Sequence, residues 1–171
     1  LKIEKPEPLN SIVFEVDERI DAHGNVLVAL NSAEVERAVE KIKAQGIQAV
    51  AVSLLNSFKN QAHELEVLDL CKKAGLKYVS VSSQLFPTIK LLPRAETAVA
   101  DAYLNPILTS YLTGVSNKLS RGSSLKVMTS AGGLISANDF HAKDSLLSGP
   151  AGGVVGAAEI AKVCGEKNIL T

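Results

Sequence analysis

Two glycine-rich strings are the parts of this sequence whose residue types and spacing point most directly at chemistry. The first is Leu146-Leu147-Ser148-Gly149-Pro150-Ala151-Gly152-Gly153-Val154-Val155-Gly156-Ala157. Ser148 is placed to cap a helix, and Pro150 suits a first helical turn. Glycines there allow a ligand close to the backbone, and free amides at a helix start form an anion site aided by the helix dipole. The competing reading is that Gly152, Gly153, Gly156 and Ala157 only let the helix lie tight against a sheet, and on local physics packing weighs more. The string is not a Walker A loop, because no Gly-Lys-Ser/Thr follows. The second string, Met128-Thr129-Ser130-Ala131-Gly132-Gly133-Leu134, places two glycines just after a predicted strand. Ligands gather at the carboxyl ends of strands in open α/β sheets, so this loop is a candidate cleft wall, with a plain turn as the equal alternative. The candidate nucleotide- or anion-binding residues are therefore Ser148, Gly149, Ala151, Gly152, Gly153, Ser130, Gly132 and Gly133.

Elsewhere the chemistry thins out. Asn60-Gln61-Ala62-His63-Glu64 resembles half of a metal or acid–base site, but no second histidine lies four residues on. Asn60 as a helix cap, with His63 and Glu64 in the first turn, is the better reading. His23 falls in a hairpin turn and His141 near the end of a short predicted helix, with no ligand partners nearby. Arg94, Glu96 and Asp101 fit either a cleft or an ordinary exposed helical face. No nucleophile–base pair and no metal-ligand spacing appear, so no catalytic residue and no metal ligand is assigned. Cys71 and Cys164 read as reduced core thiols, which fits a reducing cytoplasm.

The elements that must position these strings follow from periodicity. Ile12, Phe14, Val16 and Ile20 alternate with Glu15, Asp17 and Arg19, predicting a strand that pairs with Val26–Leu30 across the turn at Gly24. Asn31 followed by Glu34 predicts a capping box for a helix whose inward face is Val35, Ala38, Val39 and Ile42, ended by Gly46. A strand over Ile47–Leu55, a helix over Asn60–Ala74 with Leu65, Leu68 and Cys71 inward, and a strand over Tyr78–Ser82 form a βαβ unit. An irregular stretch over 83–93 precedes a long helical pattern from Arg94 to Leu119, which Pro106 should bend or split near Asn105. A strand over Leu125–Thr129, a short helix capped by Ser136, a small-residue helix from Ser148 to Val163 and a final strand from Asn168 complete the pattern. The fold class expected is α/β, a mixed, mostly parallel sheet with helices on both faces.

Composition agrees with a packed interior and excludes several partners. Hydrophobic residues make up 46% of the 171, and 18 basic residues balance 18 acidic ones. Nucleic acid and anionic membranes would select a basic excess, and tryptophan-free, aromatic-poor sequence offers no base-stacking platform. No apolar run approaches the roughly 20 residues of a membrane span, and the opening residues do not read as a signal peptide.

Several of these strings together resemble one family. Glu18-Arg19-Ile20-Asp21 with Gly24 is similar to the E-R-I-D-x-x-G signature of hydantoinase A/5-oxoprolinase proteins. Asn60-x-x-His63-Glu64 resembles N-P-x-H-E, Ala102-Tyr103-Leu104-x-Pro106 resembles N-A-Y-x-x-P, and Met128 to Leu134 resembles M-Q-S-N-G-G-L. The Ser148–Gly156 string is almost letter for letter the family's L-S-G-P-A-G-G-V-V-G-A. The chain departs from the pattern at Pro93, where many members carry Glu, at Ala95, which replaces a hydroxyl residue, and at Asp101, which replaces Asn.

The resemblance implies an ATP-dependent enzyme acting on a cyclic amide or ketone such as hydantoin, N-methylhydantoin, 5-oxoproline or acetone. It implies an actin-like (Hsp70/sugar-kinase type) ATPase fold of two lobes, with ATP and Mg as cofactors of the full-length parent and none expected for the isolated chain. Those enzymes carry Asp-x-Gly-Gly-Thr phosphate loops, which are expected upstream of Leu1 and directly after Thr171. Residues 1–10 then form a loose lead-in, 11–92 the later part of the first lobe and 93–171 the entry to the second, with packing as one compact α/β domain as an alternative. The expected partners are the remainder of the parent chain and a second, hydantoinase B-type subunit. Two rival readings stay open: a non-catalytic α/β scaffold or subunit-interface module, and a small-ligand or nucleotide-binding domain without hydrolysis.

Overall fold

The computed structural model of the chain describes Glu4 and residues 7–170. Part of the predicted lead-in and the last residue of the final predicted strand lie outside the described residues. The chain divides into two compact units, residues 1–106 and 107–171.

The first unit opens with a hairpin of β1 (Arg19–Ile20) and β2 (Val26–Val28). Asp21 organises its turn: one carboxylate oxygen accepts the amides of His23 and Asn25, both at 2.8 Å, and the other accepts the Asn25 side-chain amide at 3.0 Å. Those bonds hold the Asp21 carboxyl below its usual value, the Asn25 side chain contributing most. The predicted strand from Ile12 is realised only at Arg19–Ile20, because β2 offers three residues and the register shifts between Arg19 and Ile20.

Helix α1 (Ser32–Ala44) starts at Asn31, whose side chain accepts the Glu34 amide at 3.4 Å. The expected capping box is half made, since the Glu34 carboxylate takes the Asp17 amide at 2.8 Å instead of the cap's own. Strand β3 (Ala49–Val52), helix α2 (Ala62–Lys73) and strand β4 (Tyr78–Val81) form the predicted βαβ unit, with β3 and β4 parallel from Ala49↔Tyr78 to Val52↔Val81. Leu30, Val35, Val39, Ile42, Val52, Val67, Cys71 and Leu76 pack as one apolar core between these helices and strands. Short helix α3 (Ser82–Leu85) and long helix α4 (Leu91–Ser116) follow. Helix α4 continues through Pro106, so the expected split is not found; a proline removes one hydrogen bond of a helix, and the rest of the ladder holds.

In the second unit β5 (Lys126–Met128) pairs antiparallel with β6 (Leu134–Ser136). Ser136 was expected to cap a helix and instead ends this strand, because Gly132, at φ 80°, reverses the chain tightly enough to return Leu134 beside Met128. A 3-10 turn over Ala142–Ser145 leads to α5 (Ser148–Cys164), which ends at Gly165. Asn168–Leu170 forms no strand. The α/β class is as expected, but the described strands, two to four residues each, pair as three separate two-stranded ladders, one of them parallel.

Candidate functional site

The two glycine-rich strings meet inside the second unit. A side chain at Gly132 would lie 3.0 Å from a Val155 methyl, and one at Gly152 would lie 3.4 Å from Met128 Cγ. The β5–β6 turn is closed by Thr129, whose amide donates to Gly133 O at 2.8 Å while Gly132 N returns to Thr129 O at 2.9 Å. The Ser130 amide donates to Asp144 O at 2.8 Å, which ties the turn to the 3-10 segment before α5.

The start of α5 differs from expectation in a way that matters for anion binding. Leu147, not Ser148, occupies the cap, in the left-handed region at φ 61°, and no side chain caps the helix. Ser148 has already entered the helix, and Leu147 O accepts the Ala151 amide at 3.1 Å. Pro150 has no amide, so within the first turn of α5 it is the amides of Ser148 and Gly149 that find no backbone acceptor among the described residues. From Ala151 onward the amides turn back into the helix, and Ala151, Gly152 and Gly153 can line a ligand but not cradle it with free donors. Side chains added at Gly149, Gly153 or Gly156 would meet nothing within 4 Å, so the expected packing of Gly156 against a sheet is absent here. Ser130 and Gly133 are exposed, and Gly132 is half-buried at the Val155 contact.

A second polar constellation lies in the first unit, and periodicity did not show it. Glu64 is fully buried and accepts four hydrogen bonds: the Leu54 amide at 2.8 Å, Ser57 Oγ at 2.8 Å, Ser82 Oγ at 2.6 Å and the Ser83 amide at 2.9 Å. Arg94, also fully buried, donates from Nε to Ser82 Oγ at 2.9 Å, from Nη1 to Thr88 O at 2.8 Å and from Nη2 to Leu54 O. Its guanidinium carbon lies 5.9 Å from the centre of the Phe58 ring. The Ser82 hydroxyl thus bridges the two charges, donating to Glu64 and accepting from Arg94. Burial lowers the Arg94 pKa from its ordinary value, and the Glu64 carboxylate acts against that shift.

The neighbouring residues are buried as well. His63 Nδ1 lies 2.7 Å from Glu18 Oε2, joining α2 to the hairpin, and Asp101 accepts Ser80 Oγ at 2.6 Å. Asn60 sits one residue before the helix cap, accepting the Ala62 amide at 3.0 Å and donating to Gly24 O at 2.9 Å. The expectation of Arg94 and Asp101 on an exposed or cleft face is therefore corrected, whereas His63 and Glu64 stand in the first turn of α2 as expected and are buried there: each of the four pairs with a polar group inside the protein. Glu96, His23 and His141 are exposed. Cys71 is buried, which raises its thiol pKa to about 11, but Cys164 is exposed and not the core thiol expected. Among the described residues no group of three or more His, Cys, Asp or Glu could hold a metal ion.

This arrangement of short ladders and helices is a mixed α/β architecture of the actin-like ATPase type, shared with two solved enzymes. Nucleotide-free acetone carboxylase, from a study of ATP-dependent acetone carboxylation, superposes over 88% of this chain and 22% of its own, at TM-score 0.72 and 28% identity. The ATP-dependent caprolactamase of Pseudomonas jessenii superposes over 98% of this chain and 26% of its own, at TM-score 0.82 and 24% identity. Residues 1–75 match the profile of the hydantoinase/oxoprolinase N-terminal region, and residues 94–171 match that of hydantoinase/oxoprolinase itself. The chain belongs to the hydantoinase/oxoprolinase family. A 5-oxoprolinase of Saccharomyces cerevisiae is 34% identical over 197 residues, covering 98% of this chain and 15% of the yeast protein. The chain thus spans about a seventh to a quarter of the length of these relatives.

Proposed function

We propose that this chain is an internal segment of an ATP-dependent hydrolase of cyclic amides, of the hydantoin, N-methylhydantoin or 5-oxoproline class, and that it is inactive alone. The observation that carries this reading is the match to 5-oxoprolinase, at 34% identity, spanning 98% of the chain. ATP supplies the phosphoryl group that turns the amide oxygen into a leaving group. This chain's own contribution is the start of α5, where the free amides of Ser148 and Gly149 suit a phosphate oxygen and the helix dipole favours negative charge. Gly149 and Gly153 leave room for a ligand near the α5 backbone, while Gly132 and Gly152 pack the adjoining turn, which carries Ser130 and Gly133, against the helix beside Ala151. The described residues offer no carboxylate cluster for Mg, so we assign its protein ligands to the rest of the parent polypeptide. That remainder is the first partner, and a hydantoinase B-type subunit the second. Residues 11–92 and 93–171 fall in the first lobe and at the entry to the second. No helix among the described residues is long and apolar enough to cross a membrane, and two unpaired cysteines suit the cytoplasm.

Two measurements test this. ATP hydrolysis by the full-length polypeptide should be stimulated by hydantoin or 5-oxoproline, whereas the 171-residue chain should show no turnover above blank. Titration with inorganic phosphate should shift the amide resonances of Ser148 and Gly149 first. Resonances that stay fixed in the full-length protein would remove the phosphate site, and turnover by the short chain would remove the segment reading.

A further inference from the structure

The loop between α3 and α4 combines two features that ordinarily exclude each other. Together with the first turn of α4 it exposes apolar side chains, with Phe86 at 47%, Ile89 at 70% and Leu92 at 73% of their full exposure. Free apolar loops collapse onto the nearest core, because water drives such surface together. This one is held outward by its backbone. Phe86 N donates to Ser82 O at 3.0 Å, and Thr88 N closes a tight turn onto Phe86 O at 2.7 Å around Pro87. From beneath, the buried Arg94 takes Thr88 O at 2.8 Å. The same guanidinium is fixed by Ser82, by Leu54 O and by the Phe58 ring, and Glu64 fixes Ser82 in turn. A buried guanidinium is costly, and a hydrophobic residue would fill the space more cheaply if packing were its sole task. Its three donors instead reach three segments, and one of them sets the loop.

We infer that Arg94 is a positioning residue that presents Phe86, Ile89 and Leu92 as a preformed apolar contact for polypeptide of the same parent chain outside these 171 residues. The occupant follows from length and charge. The relatives are roughly four to seven times longer than this chain, so most of the surface able to cover the loop lies in the remainder of such a polypeptide. The loop's single charge is Lys90, so the complementary surface is apolar and demands no counter-charge network. The inference rests on the reading that the chain belongs to a longer polypeptide, but not on that polypeptide's reaction.

The occupant is tested with Ile89→Cys in a Cys164→Ser background, labelled with a maleimide in the 171-residue chain and in the full-length polypeptide. Labelling should be at least about tenfold slower in the full-length protein, the protection a covered site shows against an open one. Equal rates would overturn the contact, and protection that appears only on adding a second subunit would overturn the choice of occupant. Labelling needs no enzymatic activity, so failure of the hydrolase reading leaves this result interpretable. The clamp is tested in the 171-residue chain by Arg94→Lys, which keeps the charge beside Glu64 but cannot reach all three acceptors. Amide exchange over 86–90 should rise at least about tenfold relative to α1. Exchange rising equally in α1 would make Arg94 a general stabiliser and overturn its positioning role.

Discussion

Replacing Glu64 with glutamine changes one oxygen to an amide nitrogen, with little change in volume, so its cost isolates the charge and the hydrogen bonds. Oε1 accepts from Leu54 N, Ser57 Oγ and Ser82 Oγ, and Oε2 accepts from Ser83 N. If the new oxygen keeps the Oε1 position, the new NH2 faces the Ser83 amide, donor against donor. If the amide flips, it faces three donors. The first orientation opposes the fewest donors, so at least one charge-assisted bond is lost, worth about 1.5–3 kcal/mol. The substitution also removes the negative charge opposite the buried Arg94, and breaking a buried pair from one side costs about 3–5 kcal/mol. These losses overlap, so we expect about 3–4 kcal/mol, a large share of the ~5–15 kcal/mol that holds a typical domain. Cys71 is a site-specific probe, because its side chain is buried in the first unit's core and reacts only on unfolding. Urea-dependent labelling of Cys71, in a Cys164→Ser background, should shift its midpoint down by about 1–3 M. The double variant Glu64→Leu/Arg94→Met, which removes both charges, should recover most of that loss. A Glu64→Gln midpoint within about 0.3 M of the unsubstituted protein would refute the argument.

Three further outcomes follow from individual positions. Gly132→Ala forces a side chain into the left-handed region against Val155 and should destabilise the second unit by about 1–2 kcal/mol, whereas Gly156→Ala, helical and open, should stabilise it by about 0.5–1 kcal/mol. Thermal melts of the two variants that moved in the same direction would contradict this. The Asp21 carboxyl is held below its usual 3.8, so its support of the hairpin is complete above that value and is lost as pH falls through the lower, folded value; the His23 and Asn25 amide shifts should follow that titration and lose it in Asp21→Asn. The Cys71 thiol is raised from 9.0 to about 11, so the core contribution is complete below 9 and declines as pH rises towards 11; at pH 8 a thiol reagent should count one fast cysteine, Cys164, and reach Cys71 only after denaturation.

The apolar skeleton of the first unit was legible because its periods are clean. Val35, Val39 and Ile42 mark one helical face, and β3 and β4 are short apolar runs joined by a helix of βαβ length. The polar interior was not legible, for a physical reason. Charged residues are assigned to solvent by default, since their burial is costly unless every group is paired. Arg94, Ala98, Asp101 and Ala102 in fact keep helical spacing, and all four are buried, so the inner face of α4 was written in the sequence once charge was set aside. What no local pattern supplies is the pairing itself, because Glu18 meets His63 and Leu54 meets Arg94 across 45 and 40 residues. In the second unit Leu134–Ser136 is too short to show alternation, and its strand is imposed by Gly132 and by pairing with β5. The glycine strings were found from sequence, but which amides stay free depended on Leu147 taking the cap.

The same network explains why the sequence boundary and the structural boundary within the chain fall in different places. The second family match begins at Arg94, yet the compact first unit runs to residue 106. Between those points α4 gives Arg94, Ala98, Asp101 and Ala102 to the interior of the first unit. A chain cut at residue 75, where the N-terminal match ends, would lose Ser82, Ser83 and Arg94 and leave the Glu64 carboxylate buried with two of its four donors. A chain begun at 94 would carry Arg94 on a helix with none of the Ser82 hydroxyl, Thr88 carbonyl or Leu54 carbonyl that satisfy it, and would part Asp101 from the Ser80 hydroxyl. Either cut leaves unpaired a charged group that folding had matched, and such groups cost more than lost apolar contacts of similar size. Proline at 106 marks a cheaper division, because its missing amide already leaves the helix one hydrogen bond short. The first compact unit therefore keeps the first half of α4 inside it, up to residue 106.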